Sequence, residues 1–161
     1  MKNKALSLLL LLQSCQPAIP QKLEEVRITR VVSGQTLELK GKQVRLVGID
    51  APDLQQQPWG RVAKEQLQAM IGGEPVLLEF DVQNQDQLGR RLAYVWQDGE
   101  LLNEKLVAQG YALAIPRNPN HKYDQRLSRA QEAARLMGKG IWNFDQPMRL
   151  TPAEFRRHYQ L

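Results

Sequence analysis

Residues 44–53 of this 161-residue chain have the sequence Val-Arg-Leu-Val-Gly-Ile-Asp-Ala-Pro-Asp. The first half is mostly apolar, as in a buried β-strand, and the proline ends that strand. Asp50 and Asp53 therefore stand at the strand end and on the loop that follows it. Arg45 lies within the strand, five residues before Asp50. The stretch brings one cation and two carboxylates close together along the chain.

A second arginine-bearing stretch covers residues 86–94, with the sequence Asp-Gln-Leu-Gly-Arg-Arg-Leu-Ala-Tyr. Phosphodiester hydrolysis needs cations that spread the charge of the phosphoryl transition state, and carboxylates that hold a metal or accept a proton from water. Arginine suits this role because it donates two parallel hydrogen bonds to phosphate and keeps its charge. Arg45 and Arg90 can supply the cations, and Asp50 and Asp53 the carboxylates. Taken singly, each motif is equally typical of a turn or a solvated surface.

With these motifs the chain resembles the staphylococcal nuclease (thermonuclease-like) family over residues 24–143. The resemblance implies an α+β fold, a five-stranded OB-type β-barrel with three α-helices. It implies that Arg45 and Arg90 bind the scissile phosphate and act in catalysis, with Arg91 as a further nucleic-acid contact. It also implies that Asp50 binds calcium and that Asp53 replaces the family's general-base glutamate.

The turn Ser33-Gly34-Gln35-Thr36 departs from the family's Asp-Gly-Asp-Thr, so Gln35 replaces a calcium-binding aspartate. A glutamine carbonyl can coordinate calcium but brings no charge, and calcium affinity follows the charge of the ligands. We therefore expect only a weak calcium site at Asp50 and Gln35. Asp53 is one methylene shorter than glutamate, and such a displaced base can cost roughly 100-fold in rate. Leu88 stands where the family has a base-holding tyrosine.

The predicted elements agree with this fold class. Hydrophobic periodicity and turn residues predict five strands and three helices. The strands cover residues 25–32, 36–40, 43–49, 75–82 and 91–96, and the helices cover 61–71, 100–109 and 121–137.

The composition fits one small domain with a basic C-terminal third. The chain is 42% hydrophobic and has a formal net charge of +5. Residues 111–161 carry nine Lys and Arg against four Asp and Glu. This imbalance suits a polyanionic partner, either nucleic acid or anionic lipid, although a solvated basic surface would look the same.

The N-terminus predicts export. Residues 1–14 combine Lys2 and Lys4 with a short apolar run, which is typical of a signal peptide and too short to span a bilayer. Residues 12–15, Leu-Gln-Ser-Cys, resemble a bacterial lipobox, so Cys15 is a candidate lipidation site. Plain signal cleavage with an incidental cysteine is the alternative. Residues 15–23 would then form a tether, residues 24–143 the domain and residues 144–161 a basic extension.

Three functions remain open. The first is a nuclease-family phosphodiesterase, an endonuclease that hydrolyses nucleic acid outside the cytoplasm. The second is a catalytically impaired OB-fold lipoprotein that binds nucleic acid in a basic groove. The third is an envelope lipoprotein with a structural role. We expect the first, with DNA or RNA as partner, a membrane contact through the lipid anchor or simple secretion, a monomeric state, and no small-molecule cofactor.

Overall fold

The computed structural model describes residues 23–161 as a mixed α+β fold with nine short strands and four α-helices. The predicted leader, Cys15 and nearly all of the predicted tether lie outside the described residues. The strands are β1 (Leu23–Val26), β2 (Arg30–Ser33), β3 (Thr36–Leu39), β4 (Lys42–Leu46), β5 (Ile49–Asp50), β6 (Val76–Glu79), β7 (Arg91–Gln97), β8 (Glu100–Leu101) and β9 (Leu113–Ala114). The helices are α1 (Trp59–Ile71), α2 (Leu102–Ala108), α3 (Asp124–Leu136) and α4 (Pro152–Tyr159).

The main sheet has the order β1-β6-β7-β4-β3-β2, with β8 paired to β7, and β5 pairs with β9 in a separate two-stranded sheet. The α+β class and the OB-type arrangement are confirmed. The expected closed barrel is not, because the ladder of the main sheet ends at β1 and β2 instead of joining them. A register shift in β2 between Val31 and Ser33 marks a bulge near this open edge.

Two features of the chain explain the extra elements. The predicted strand 43–49 is divided into β4 and β5 because Gly48 adopts a left-handed backbone with φ of 75°. The fourth helix, α4, lies in the basic extension and begins with a capping box, in which Thr151 and Glu154 bond each other's backbone amides. Pro152 occupies the first helical position, where its missing N–H costs nothing.

The apolar core lies between the main sheet and the helices. Helix α1 buries Ala63, Leu67 and Ile71 on one face, as its periodicity predicts. Leu37, Val44 and Leu78 from three strands are fully buried in the same cluster. Burial of each such leucine contributes about 2 kcal/mol, so this packing holds the strand that carries the site.

One buried polar side chain also fixes that strand. Asn103 of α2 donates from Nδ2 to the carbonyl of Val47 at 2.7 Å, and its Oδ1 accepts from the amide of Val95 at 2.9 Å. The turn after β4 is therefore tied to β7. Among residues 23–161, no helix has the length and apolar character needed to cross a bilayer.

Candidate active site

Arg45 is a buried cation in the middle of the sheet. It lies in β4 opposite Thr36 of β3 and Leu92 of β7. The residue is 7% exposed, and its guanidinium donates to the carbonyl of Leu46 at 3.3 Å and to that of Ile49 at 3.1 Å. The turn after β4 thus folds around the side chain and holds the charge in one place.

Asp50 lies between two arginines. Its Oδ1 is 3.7 Å from Nη2 of Arg45, and its Oδ2 accepts a hydrogen bond from Nη2 of Arg156 at 2.8 Å. Within residues 23–161, Oδ1 is buried and has no hydrogen bond of its own. The structure therefore brings Arg45 and Asp50 together, as predicted, and adds Arg156 from α4.

The pKa of Arg45 reflects its burial and the charges around it. Burial lowers the pKa of Arg45 to about 10, and the charge of Asp50 opposes this change. Repulsion from Arg90, Arg117 and Arg156 lowers it further. Arg45 stays protonated at neutral pH, and three more arginines lie within electrostatic reach of it.

Gln35 supports the loop that carries Asp50. Its Oε1 accepts from the amide of Ala51 at 2.6 Å, and its carbonyl accepts from the amide of Leu46 at 2.9 Å. The preceding Gly34 packs so closely that an added Cβ would lie 2.6 Å from Cβ of Ala63. Gln35 therefore lies beside the loop of Asp50, and its side-chain oxygen is bonded by the amide of Ala51.

Asp53 lies half-buried in the turn that precedes α1. Its Oδ1 accepts from the amide of Gln55 at 3.1 Å, and its carbonyl accepts from the amide of Gln56 at 2.8 Å. Gly60 packs against that carbonyl, where a Cβ would approach to 1.8 Å. The start of α1 thus sets the backbone position of Asp53.

Arg90 is held by a carboxylate of its own loop. Its Nε donates to Oδ2 of Asp86 at 2.8 Å, and its backbone amide donates to Oδ1 at 2.9 Å. Burial opposes ionisation of Asp86, but these hydrogen bonds outweigh it and hold the pKa of Asp86 below its usual value. Asp86, Leu88, Arg90, Leu92 and Arg117 are among the residues that line a cavity of about 550 Å³.

Arg117 reaches this cavity from the loop after β9. Asn120 on that loop is buried, and its side-chain amide bonds both the N–H and the carbonyl of Gln83, at 2.8 and 2.7 Å. The pairing ties the Arg117 loop to the Arg90 loop, so the two arginines line one cavity.

Arg91 lies away from the Arg90 cavity, and its expected contact with nucleic acid stays a prediction. It forms an ion pair with Glu24 of β1, and its guanidinium lies 4.6 Å from the centre of the Phe80 ring. Neighbouring residues of a strand point to opposite faces, so Arg91 leaves the face that Arg90 and Leu92 share.

Comparison with known proteins identifies relatives that match most of this chain. The profile of the family Staphylococcal nuclease homologue matches residues 43–144. The thermonuclease of Staphylococcus hyicus is 37% identical over 126 residues, which is 73% of this chain and 75% of that protein. The chain belongs to the staphylococcal nuclease homologue family.

Two further relatives fit this assignment. The thermonuclease of Staphylococcus intermedius is 34% identical over 128 residues, or 74% of this chain and 76% of that protein. Endonuclease YncB of Bacillus subtilis (strain 168) is 31% identical over 134 residues, or 76% of this chain and 64% of that protein. The family match ends before α4, so Arg156 lies outside it.

The donors that this family resemblance assigns to calcium are engaged by other groups of the protein in this arrangement. Residues 23–161 contain no group of three or more His, Cys, Asp or Glu placed to hold a metal. One oxygen of Asp50 is bound by Arg156, and Oε1 of Gln35 is bound by the amide of Ala51. A hard cation needs several free oxygen ligands, preferably charged ones. The weak calcium site at Asp50 and Gln35 stays a prediction.

Sequence reasoning about this staphylococcal nuclease homologue missed Arg117 and Arg156. Arg117 follows a proline in a loop, and no local pattern marks it. One sequence pattern lies close to Arg156. Thr-Pro-Ala-Glu at residues 151–154 is a capping-box sequence, which predicts a helix start. That signal predicts α4 but not the surface on which the helix packs.

Proposed function

We propose that this chain is a nuclease that hydrolyses phosphodiester bonds in DNA or RNA. Its family and its thermonuclease and endonuclease relatives support an enzyme of the phosphodiester hydrolase class. The observation that carries the proposal is the buried, charged Arg45, fixed beside Asp50 and within electrostatic reach of Arg90 and Arg117.

The proposed roles follow from this arrangement. Arg45 and Arg90 donate to the non-bridging oxygens of the scissile phosphate. Both guanidinium groups are already held by backbone carbonyls or by Asp86, so little reorganisation is needed as charge develops. Asp53 is the proposed general base that accepts a proton from water, since it is the half-buried carboxylate on the loop directly after Asp50. The cavity beside Arg90 and Arg117 receives the neighbouring nucleotide.

Calcium enters the proposal only as a weakly held ion. The family resemblance implies calcium, and Asp50 is the single carboxylate here that matches a family metal ligand. We derive no step of the reaction through it, because the donors present do not fit the ion.

A binding module that has lost hydrolysis is the second candidate. It is favoured by the hydrogen bond from Arg156 to Asp50, which leaves the site with arginines for phosphate and engages one oxygen of the acid matched to a metal ligand. Such a protein would bind single strands through its basic cavity.

A cleavage assay with matched variants tests both candidates. End-labelled DNA and RNA oligonucleotides are incubated with wild type, Arg45→Ala, Arg90→Ala and Arg30→Ala, with calcium or with EGTA. Removal of one transition-state cation should slow cleavage by about 100-fold or more. Arg30→Ala should cleave normally, since Arg30 forms only an exposed ion pair with Glu38. Binding without cleavage by the wild type would favour the binding module, and equal cleavage by all four would refute the arginine site.

Export is part of the proposal and rests on the sequence of residues 1–15. We propose that the leader directs the chain out of the bacterial cytoplasm and that Cys15 carries lipid, or that the domain is secreted. Cys15→Ser should move the protein from the membrane fraction to the soluble fraction. Unchanged membrane association with a cleaved leader would contradict lipidation.

A further inference from the structure

The basic C-terminal segment is docked on the domain through several contacts. Nε2 of Gln56 donates to the carbonyl of Leu150 at 2.7 Å, across 94 residues of sequence. The amide of Met148 donates to the carbonyl of Ile141 at 2.9 Å, and Pro152 is buried. With its capping box, α4 is a well-defined helix whose start is anchored beside the loop that carries Asp53.

Docking places one side chain of α4 in the site. Nη2 of Arg156 lies 2.8 Å from Oδ2 of Asp50, whose side chain is 10% exposed, while that of Arg156 is 33% exposed. A charge-assisted hydrogen bond to a carboxylate shielded from water is stronger than an ion pair on the open surface. Arg156 is therefore a component of the site rather than a solvated charge.

The hydrogen bond from Arg156 occupies an oxygen of Asp50, the carboxylate to which a metal would bind. A dication at Asp50 would meet Arg156 on Oδ2 and would approach Oδ1 in front of Arg45, 3.7 Å away. Gln35 is neutral and would supply no second negative charge to the ion. Calcium can bind closely here only if Arg156 leaves, and repulsion from Arg45 would persist.

The same contact leaves the site cationic without a metal. The proposed site contains four arginines, Arg45, Arg90, Arg117 and Arg156, and three carboxylates, Asp50, Asp53 and Asp86, so this group carries a formal charge of +1. Arg156 is also close enough to Arg45 to lower its pKa. Phosphate can therefore find a preformed positive field.

We propose that Arg156 of α4 is a further positioning residue, which occupies the cation position at Asp50 in place of a metal, so that this helix and calcium exclude each other and the site binds nucleic-acid phosphate without a metal. The nucleic-acid part rests on the proposed function. The exclusion of calcium does not rest on the proposed function, because it concerns only the ion pair between Arg156 and Asp50.

Calcium titration by calorimetry tests the exclusion without any activity assay. Arg156→Gln removes the charge, Arg156→Lys keeps it, and Arg157→Gln is the control, an exposed arginine next along the same helix. Loss of one charged hydrogen bond corresponds to about tenfold or more in affinity, so Arg156→Gln should bind calcium at least that much more tightly. Arg156→Lys and Arg157→Gln should resemble wild type. Equal calcium affinity in wild type and Arg156→Gln would overturn the exclusion.

Anisotropy of a labelled single-stranded DNA oligonucleotide in EGTA tests the metal-free binding. Wild type should bind, and Arg156→Gln should bind about tenfold more weakly, with calcium restoring affinity to this variant but not improving wild type. Wild type that binds DNA only with calcium would overturn the replacement of the metal.

Thermal melting of the wild type tests the proposal even if Arg156→Gln does not fold. We expect the same Tm in calcium and in EGTA, and a higher Tm in calcium would overturn the proposal. Failure of cleavage with these binding results intact would refute only the nuclease activity.

Discussion

Arg45 and Asp50 show how single residues set the chemistry of this site. Each is more than 90% buried, and a buried charge is costly unless it is paired and hydrogen-bonded. Arg45 meets this need with two backbone carbonyls and Asp50, while Asp50 depends on Arg45 and Arg156. Removing Asp50 would leave the charge of Arg45 buried without a counter-ion, which costs about 3–5 kcal/mol, or roughly half the stability of a small domain. Asp50 without Arg45 would keep its hydrogen bond with Arg156.

Gln35 offers a way to change the charge of the site by one unit. Gln35→Glu keeps the side-chain length and the bond to the amide of Ala51, and it adds a carboxylate beside Asp50. We expect tighter calcium binding and faster calcium-dependent cleavage, measured by calorimetry and gel assay. Gln35→Asp should also gain calcium affinity, but its shorter side chain loses the bond to Ala51, at a cost of about 1 kcal/mol in unfolding free energy. No gain in calcium affinity in either variant would contradict this account of Gln35.

The lowered pKa of Asp86 predicts that the unfolding free energy depends on pH. Its pKa is lowered in the folded protein, so its pairing with Arg90 stabilises the fold above its unfolded pKa of about 3.9 and is lost as pH falls through the folded value. Wild type should exceed Asp86→Asn in unfolding free energy at neutral pH by about 1 kcal/mol, and the difference should vanish in acid. Urea unfolding from pH 7 to pH 2 measures this. A constant difference across that range would show that Asp86 acts through packing and not charge.

At the scale of elements, loops and one added helix complete the site. Arg90 and Arg117 lie on different loops that Asn120 ties together through Gln83. Helix α4 lies outside the family match and supplies Arg156. The sheet therefore holds the buried pair, and the less regular segments bring the remaining cations to it.

The capping box of α4 allows the helix to be weakened without changing any charge. Thr151→Ala removes the side chain that accepts from the amide of Glu154, and loss of such a cap costs about 1 kcal/mol. We expect faster amide hydrogen exchange in residues 152–159 and a higher calcium affinity, because Arg156 leaves Asp50 more often. Ser128→Ala, on an exposed face of α3, is the control and should change neither. Faster exchange with unaltered calcium affinity would separate helix stability from the Arg156 contact.

At the scale of the whole molecule, four arginines lie around the proposed binding site for nucleic acid. Each phosphate that an arginine neutralises releases counterions, so the logarithm of affinity for single strands should fall by about 0.7 per contact against the logarithm of salt concentration. Arg117→Gln should lower this slope by about 0.7. Arg30→Gln, which alters only an exposed pair on β2, should leave the slope unchanged. Equal slopes in wild type and Arg117→Gln would remove Arg117 from the binding surface.

Features that depend on neighbours along the chain could be predicted from the amino-acid sequence. Alternation and turn residues are informative over a few positions, and they predicted the strand at residues 43–49, the loop after it and the closeness of Arg45 to Asp50. The apolar stripe of α1 was predictable for the same reason. Together with the family resemblance, these patterns were sufficient for the α+β class.

The remaining features depend on contacts between residues that are far apart in the sequence. Arg156 is 106 residues from Asp50, and no local pattern specifies that contact, because it depends on how α4 packs on the folded domain. The open sheet depends on long-range pairing that β1 and β2 do not complete. Arg91 forms an ion pair with Glu24 of β1, 67 residues away in the sequence, and no pattern of neighbouring residues specifies that contact.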